Sequence, residues 1–146
     1  MAGNETNMTP ATPTEFARAV AAFNDQAFFE CHEILEPVWL AAAPDQRPFY
    51  QGIIQAAAAF VHWQRGETTG IVTLLTAALA RLAPYAPETA GLDLARFRRQ
   101  LATALAYFSM PEATVAGFTK AALPRLDLRE QATADPLTAP AGAWDR

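Results

Sequence analysis

Cysteine, lysine and histidine are scarce in this 146-residue sequence, which contains one cysteine (Cys31), one lysine (Lys120) and two histidines. A single cysteine excludes an internal disulfide bond and any zinc site built from several thiolates. Basic residues number 11 against 15 acidic ones, for a formal net charge of −4. Nucleic acids and anionic membranes select clustered Lys and Arg, so we expect neither as a partner.

Long hydrophobic runs and sorting signals are also lacking. The longest apolar run, 53–61, is interrupted by Gln55 and is too short to span a bilayer. The first residues are polar, with neither a basic region nor an apolar run, so no secretory leader is expected. Together with the absence of disulfide bonds, these features predict a soluble, cytoplasmic protein. The sequence also has no Gly-rich phosphate loop and no evident nucleophile with a base.

Apolar residues recur every three or four positions along most of the chain, and no segment alternates as a strand does. This pattern predicts an all-α fold: a single-domain antiparallel array of five or six helices, without a sheet. The expected helices cover about 14–24, 26–43, 46–65, 71–82 and 94–108, with a shorter stretch at 111–123. The helix starts are predicted to be capped by Thr14, Asp25, Asp45 and Asp93.

Proline and glycine set the expected boundaries of the domain. Residues 1–13 are predicted to be a flexible N-terminal arm, and 14–123 the helical domain. Residues 124–146 contain several prolines and are predicted to be an extended tail. Within the third helix, Gly52 and the alanines of 56–59 lack side-chain bulk, which predicts close contact with a neighbouring helix.

The second predicted helix carries ionisable residues at positions where the spacing of its apolar residues predicts burial in the core. At about 100° per residue, His32 falls on the same stripe as Phe28, Leu35 and Trp39. Glu36 borders that stripe, so His32 is expected to point inward and Glu36 to be partly buried. The sequence therefore places a candidate site on this helix.

The first interpretation of this site is a buried hydrogen-bonded network that orients a ligand in a binding or scaffold domain. A buried carboxylate at Glu36 needs donors, and a hairpin turning at Pro44 would bring the start of the third helix beside it. In such a network, replacing His32 or Glu36 with alanine would lower stability. The predicted binding residues are Glu36, Trp39, Arg47, Tyr50, Gln51 and Gln55.

The second interpretation is a metal-dependent hydrolase. His32 and Glu36 stand at i and i+4, the spacing of two ligands on one helix face, and Glu33 would be the base that activates a metal-bound water. His62 would be the third ligand of a divalent metal such as zinc. The hairpin register argues against His62, which lies about six residues, or roughly 9 Å, beyond the level of His32. The sequence identifies no cofactor beyond this candidate divalent metal. The expected partner is an unknown small molecule or protein, and the sequence does not indicate an oligomeric state.

Two motifs in order carry a family resemblance. The first reads Phe28-Phe29-Glu30-x-His32-Glu33-x-Leu35-Glu36-x-x-Trp39, and the second Arg47-x-Phe49-Tyr50-Gln51-Gly52-Ile53-Ile54-Gln55. Through these two motifs, residues 15–95 resemble the prokaryotic domain-of-unknown-function family numbered three hundred and nine. The resemblance implies a small all-helical array and no established activity. Pro37 departs from the family, in which a polar helix former is more usual.

Overall fold

The computed structural model describes residues 13–129. Five α-helices dominate: α1 Pro13–Asn24, α2 Phe28–Ala41, α3 Arg47–Gln64, α4 Ile71–Leu82 and α5 Leu94–Phe108. Each helix packs against the next one along the chain. The predicted single helical domain is therefore confirmed. Across the described part of the chain, no helix combines the length and the apolarity needed to cross a membrane.

A small hairpin between α4 and α5 corrects the expectation that no sheet forms. Strands β1 Glu88–Thr89 and β2 Leu92–Asp93 pair antiparallel. Ala90 and Gly91 form the two-residue turn with φ of 56° and 79°. Positive φ at both central positions is what a tight hairpin turn requires. Sequence periodicity missed the hairpin because two-residue strands are too short to show alternation.

The short helix predicted for 111–123 is wrong. Residues in this segment form turns, and the only helical piece there is a 3-10 turn, Lys120–Ala122. The indole nitrogen of Trp63 in α3 donates to the carbonyls of Val115 and Phe118, at 3.2 Å each. These carbonyls therefore bond to α3 instead of to a helix of their own, and Phe118 is buried by the same packing.

Of the four predicted caps, only Asp93 is confirmed. Its carboxylate accepts the backbone N–H of Arg96 at 3.0 Å, at the start of α5. Thr14 is not at the N-cap, because α1 already begins at Pro13. The predicted caps Asp25 and Asp45 are wrong, because Ala27 and Gln46 occupy the N-cap positions of α2 and α3 without side-chain cap bonds.

The first residues after the 3-10 turn are held against the helical domain. The side-chain amide of Asn24 donates to the carbonyl of Leu126 at 2.9 Å, and its oxygen accepts the N–H of Leu126 at 2.8 Å. Leu126 is buried, and Leu128 forms a bridge with Leu92 of β2. Residues 1–12 of the predicted arm and 130–146 of the predicted tail lie outside the described residues.

Candidate functional site between α2 and α3

Contacts at both ends show that α2 and α3 form the predicted antiparallel hairpin. At one end, the Arg47 guanidinium donates to the carbonyls of Ala42 and Leu40, at 3.1 and 3.4 Å. At the other end, the side-chain amide of Gln64 donates to the carbonyl of Gln26 at 2.6 Å. Arg47, expected to supply a cation to the polar network, thus bonds to carbonyls at the C-terminus of α2, where the helix dipole favours positive charge.

The orientation of α2 differs from the prediction by about one residue. Its buried residues are Phe28, Cys31, Leu35 and Val38. The centre of the buried stripe therefore passes through Cys31, and His32 is turned to the edge, with its side chain 30% exposed. This orientation buries two further apolar side chains and leaves the helix carboxylates in water, which costs less than desolvating them.

The expected burial of Glu36 is consequently wrong. Glu36 is exposed, and the Glu33 side chain is 57% exposed. The polar cluster is a surface feature at the edge of the core and not a buried network. We no longer expect Glu36→Ala to lower stability, because removal of an exposed carboxylate leaves no buried charge unpaired.

Two of the predicted metal ligands, His32 and Glu36, come together, and Glu33, the predicted base, lies beside them. His32, Glu33 and Glu36 each offer one ligand atom, and these atoms lie within 4.8 Å of one another. The Nδ1 atom of His32 is 3.8 Å from a carboxylate oxygen of Glu33. We call these three residues the His32 cluster. Spacing on one helix is enough to form it, which is why the sequence could predict it.

His62 does not join the His32 cluster. Its Nδ1 atom is 3.0 Å from a carboxylate oxygen of Glu67, in the loop after α3. Gly70 lies against the other side of the His62 ring, where a Cβ would be 3.5 Å from Nε2. Gly70 also has φ of 91°, a conformation that glycine adopts at low cost. The loop therefore holds His62 away from the cluster.

A small cavity nevertheless connects the two histidines. It has a volume of about 170 Å³. Its walls are Phe29, His32, Ala58, Val61, His62 and Arg65. The Phe29 ring stacks on the imidazole of His32, with the centroids 6.2 Å apart and the planes at 13°. Sequence reasoning missed Phe29 and Arg65, although Phe29 stands one helical turn before Glu33 and so belongs to the same face.

Two polar atoms beside this cavity are buried without a hydrogen-bond partner among the described residues. They are Nδ1 of His32 and Oε1 of Gln55. Gln55 shares the α3 face of Ala58 and His62, at helical spacings of three and seven residues, but it does not itself line the cavity. An unsatisfied buried polar atom costs about 1–3 kcal/mol, so a bound ligand or water is expected at each one.

The remaining predicted binding residues take different positions. Trp39 is partly buried against the core, and Gln51 is half-buried on α3. Tyr50 is 0% exposed and packs against Phe16 and Phe49. Tyr50 is therefore part of the core and does not line the cavity.

Cys31 adjoins His32 in sequence but points about 100° away around the helix, directly into the core. Burial raises the pKa of its thiol to about 12. Between pH 9 and this value, the folded chain keeps a proton that the unfolded chain loses, so stability falls as pH rises. We expect the native thiol to react with Ellman's reagent at pH 8 at least about 100-fold more slowly than in denaturant. Equal rates would contradict the burial.

Comparison with known proteins concerns this same part of the chain. Residues 16–74 match the family model described as Domain of unknown function (DUF309). The chain is also similar to the uncharacterised protein YpuF of Bacillus subtilis (strain 168), with 39% identity over 72 residues. That similarity covers 47% of this chain and 41% of YpuF. The family match contains all of α2 and α3, and with them every residue of the cluster and the cavity.

Proposed function

We propose that the segment matched by the Domain of unknown function (DUF309) model, residues 16–74, binds a divalent metal ion such as zinc. The His32 cluster supplies the ligands. The observation that carries the proposal is the convergence of three ligand atoms from His32, Glu33 and Glu36 within 4.8 Å. Imidazole nitrogen and carboxylate oxygen are both good ligands for zinc.

The cluster fits a metal ion after small side-chain rotations. Zinc lies about 2.0–2.2 Å from nitrogen and oxygen ligands, so ligand atoms of one site are roughly 3–4 Å apart. The Glu33 and Glu36 side chains are exposed, so rotation of both can shorten the present separations of up to 4.8 Å. Three protein ligands leave a coordination position open for water or for a further ligand.

The charges of the cluster also favour a cation. Glu33 and Glu36 are three residues apart on one helix, where like charges repel each other. A divalent cation would neutralise two carboxylates beside a neutral imidazole. The proposed role is therefore binding, with a small molecule able to enter the adjoining cavity beside the metal.

Zinc titration of the chelator-treated protein, followed by calorimetry, tests this role. We expect one zinc ion per chain, and binding weakened at least about tenfold by His32→Ala or Glu36→Gln, because each removes a direct ligand. Glu30→Gln is the matched control, since Glu30 is an exposed carboxylate on α2 outside the cluster. The proposal fails if wild type does not bind zinc stoichiometrically, or if the control loses as much affinity as the ligand variants.

The cavity beside His32 favours a second candidate function, a metal-dependent hydrolase. In this case His32 and Glu36 would hold the ion, the ion would supply an activated water, and Glu33 would be positioned as the base. The same titration separates the two roles through Glu33→Gln. If Glu33 is the base, Glu33→Gln should keep its zinc affinity and lose hydrolysis of an activated ester. If Glu33 is a metal ligand, Glu33→Gln should lose zinc affinity.

A further inference from the structure

Two adjoining cavities lie away from the His32 cluster, around the chain's single lysine. One, of about 520 Å³, lies between the end of α3 and residues 115–120. The other, of about 230 Å³, lies between the α1–α2 turn and residues 120–125. Gln26 and Lys120 line both cavities, so the two adjoin each other, and we call them together the Lys120 groove.

The larger cavity has a fixed aromatic wall. The Trp63 and Phe118 rings meet edge to face, with centroids 6.5 Å apart and planes at 82°. The Trp63 indole is held in place because its N–H donates to the two carbonyls of the 115–118 segment. An aromatic surface that is already immobilised costs little entropy when a ligand packs on it.

Hydrogen bonds hold the backbone around the groove. Gln26 has φ of 65°, an uncommon backbone conformation for a residue other than glycine. Its carbonyl accepts the side-chain amide of Gln64, and the Asn24 side chain forms two hydrogen bonds with the backbone of Leu126. These bonds fix the α1–α2 turn against α3 and against the segment that follows the 3-10 turn.

The charged residues of the groove have one sign. Lys120 and Arg125 line it, and no aspartate or glutamate does. Neither cation forms a salt bridge with another described residue. Two cations without counter-ions, in a chain whose net charge is −4, make a local positive site beside apolar walls. An anionic group at the end of an apolar body complements this arrangement.

We propose that the Lys120 groove binds a small amphipathic carboxylate. Its apolar chain or ring packs against Trp63 and Phe118, and its carboxylate pairs with Lys120 and Arg125. Charge-assisted hydrogen bonds orient the carboxylate, and the aromatic wall provides the buried apolar contact. The site shares no residue with the His32 cluster, so the two proposals succeed or fail independently.

Displacement of a fluorescent dye by octanoate tests the proposal. Anilinonaphthalene sulfonate, an aromatic anion, is titrated into the full-length protein and then displaced by octanoate or by the neutral analogue octanol. We expect saturable dye binding and displacement by octanoate at about one tenth of the octanol concentration, because only octanoate pairs with the two cations.

Substitution of the two cations locates the site. The double variant Lys120→Met and Arg125→Met keeps the apolar stems and removes the charges. It should weaken octanoate binding about tenfold and abolish the preference over octanol. Both side chains are exposed, so the variant should fold normally, which circular dichroism checks. Arg99→Met is the matched control, because Arg99 is an exposed cation on α5 that lines neither cavity.

Three results would overturn the proposal. The first is the absence of saturable dye and octanoate binding to the wild-type protein. The second is equal displacement by octanoate and octanol. The third is octanoate affinity that is the same in the double variant as in Arg99→Met, which would place the binding elsewhere.

Discussion

Replacing Phe23 with alanine should lower the free energy of unfolding by about 3–5 kcal/mol. The side chain is 1% exposed and lies where α1 meets three other helices. Its ring centroid is 5.0 Å from that of Phe28, 5.5 Å from that of Phe97 and 6.4 Å from that of Phe60. These rings belong to α2, α5 and α3, so they cannot all move inward together, and truncation would leave a cavity.

Urea denaturation followed by circular dichroism measures this loss. Phe29→Ala is the matched control, because it removes the same side chain from a position that is 58% exposed. We expect the control to lose less than about 1 kcal/mol. Similar losses for the two variants would show that the aromatic cluster around Phe23 is not the centre of the core.

Replacing Gly52 with leucine should cost about 3 kcal/mol through overpacking between α3 and α4. A Cβ at this position would lie 2.7 and 2.8 Å from Cγ and Cδ2 of Leu82, and 3.3 Å from the carbonyl oxygen of Ala78. Leu82 is 0% exposed and cannot turn into solvent. The close contact predicted from the small residues of α3 is confirmed, and its partner is α4.

Thermal melting tests the contact at Gly52, with Ala102→Leu as a control. Ala102 is exposed on α5, where an added leucine side chain meets solvent and should change stability by less than about 0.5 kcal/mol. A second comparison pairs Gly52→Ala with Leu82→Ala. The double variant should be more stable than the sum of the single losses predicts, because the truncation at position 82 removes the atoms that a Cβ at position 52 would clash with, and the added methyl group fills part of the void. An unchanged melting temperature for Gly52→Leu would contradict the close contact.

Much of the candidate site could be predicted from the sequence because it depends on spacing within one helix. His32, Glu33 and Glu36 converge on α2 through local geometry, and α2 continues as a helix through Pro37. The cavity beside them could not be predicted in the same way, since half of its walls come from α3. The sequence argument separated His62 from His32 because it compared only their positions along the axes of the two helices. In the structure, both side chains line one cavity.

The five helices, the cap at Asp93 and the close contact at Gly52 could be predicted from the amino-acid sequence, because each depends on local periodicity or on one residue's geometry. Which face of α2 is buried depends instead on packing between helices. A rotation of one residue exchanges His32 for Cys31, and the sum of contacts with α1 and α3 selects the rotation. Packing also decided that 111–123 forms turns, because Trp63 bonds to carbonyls that a helix would have used.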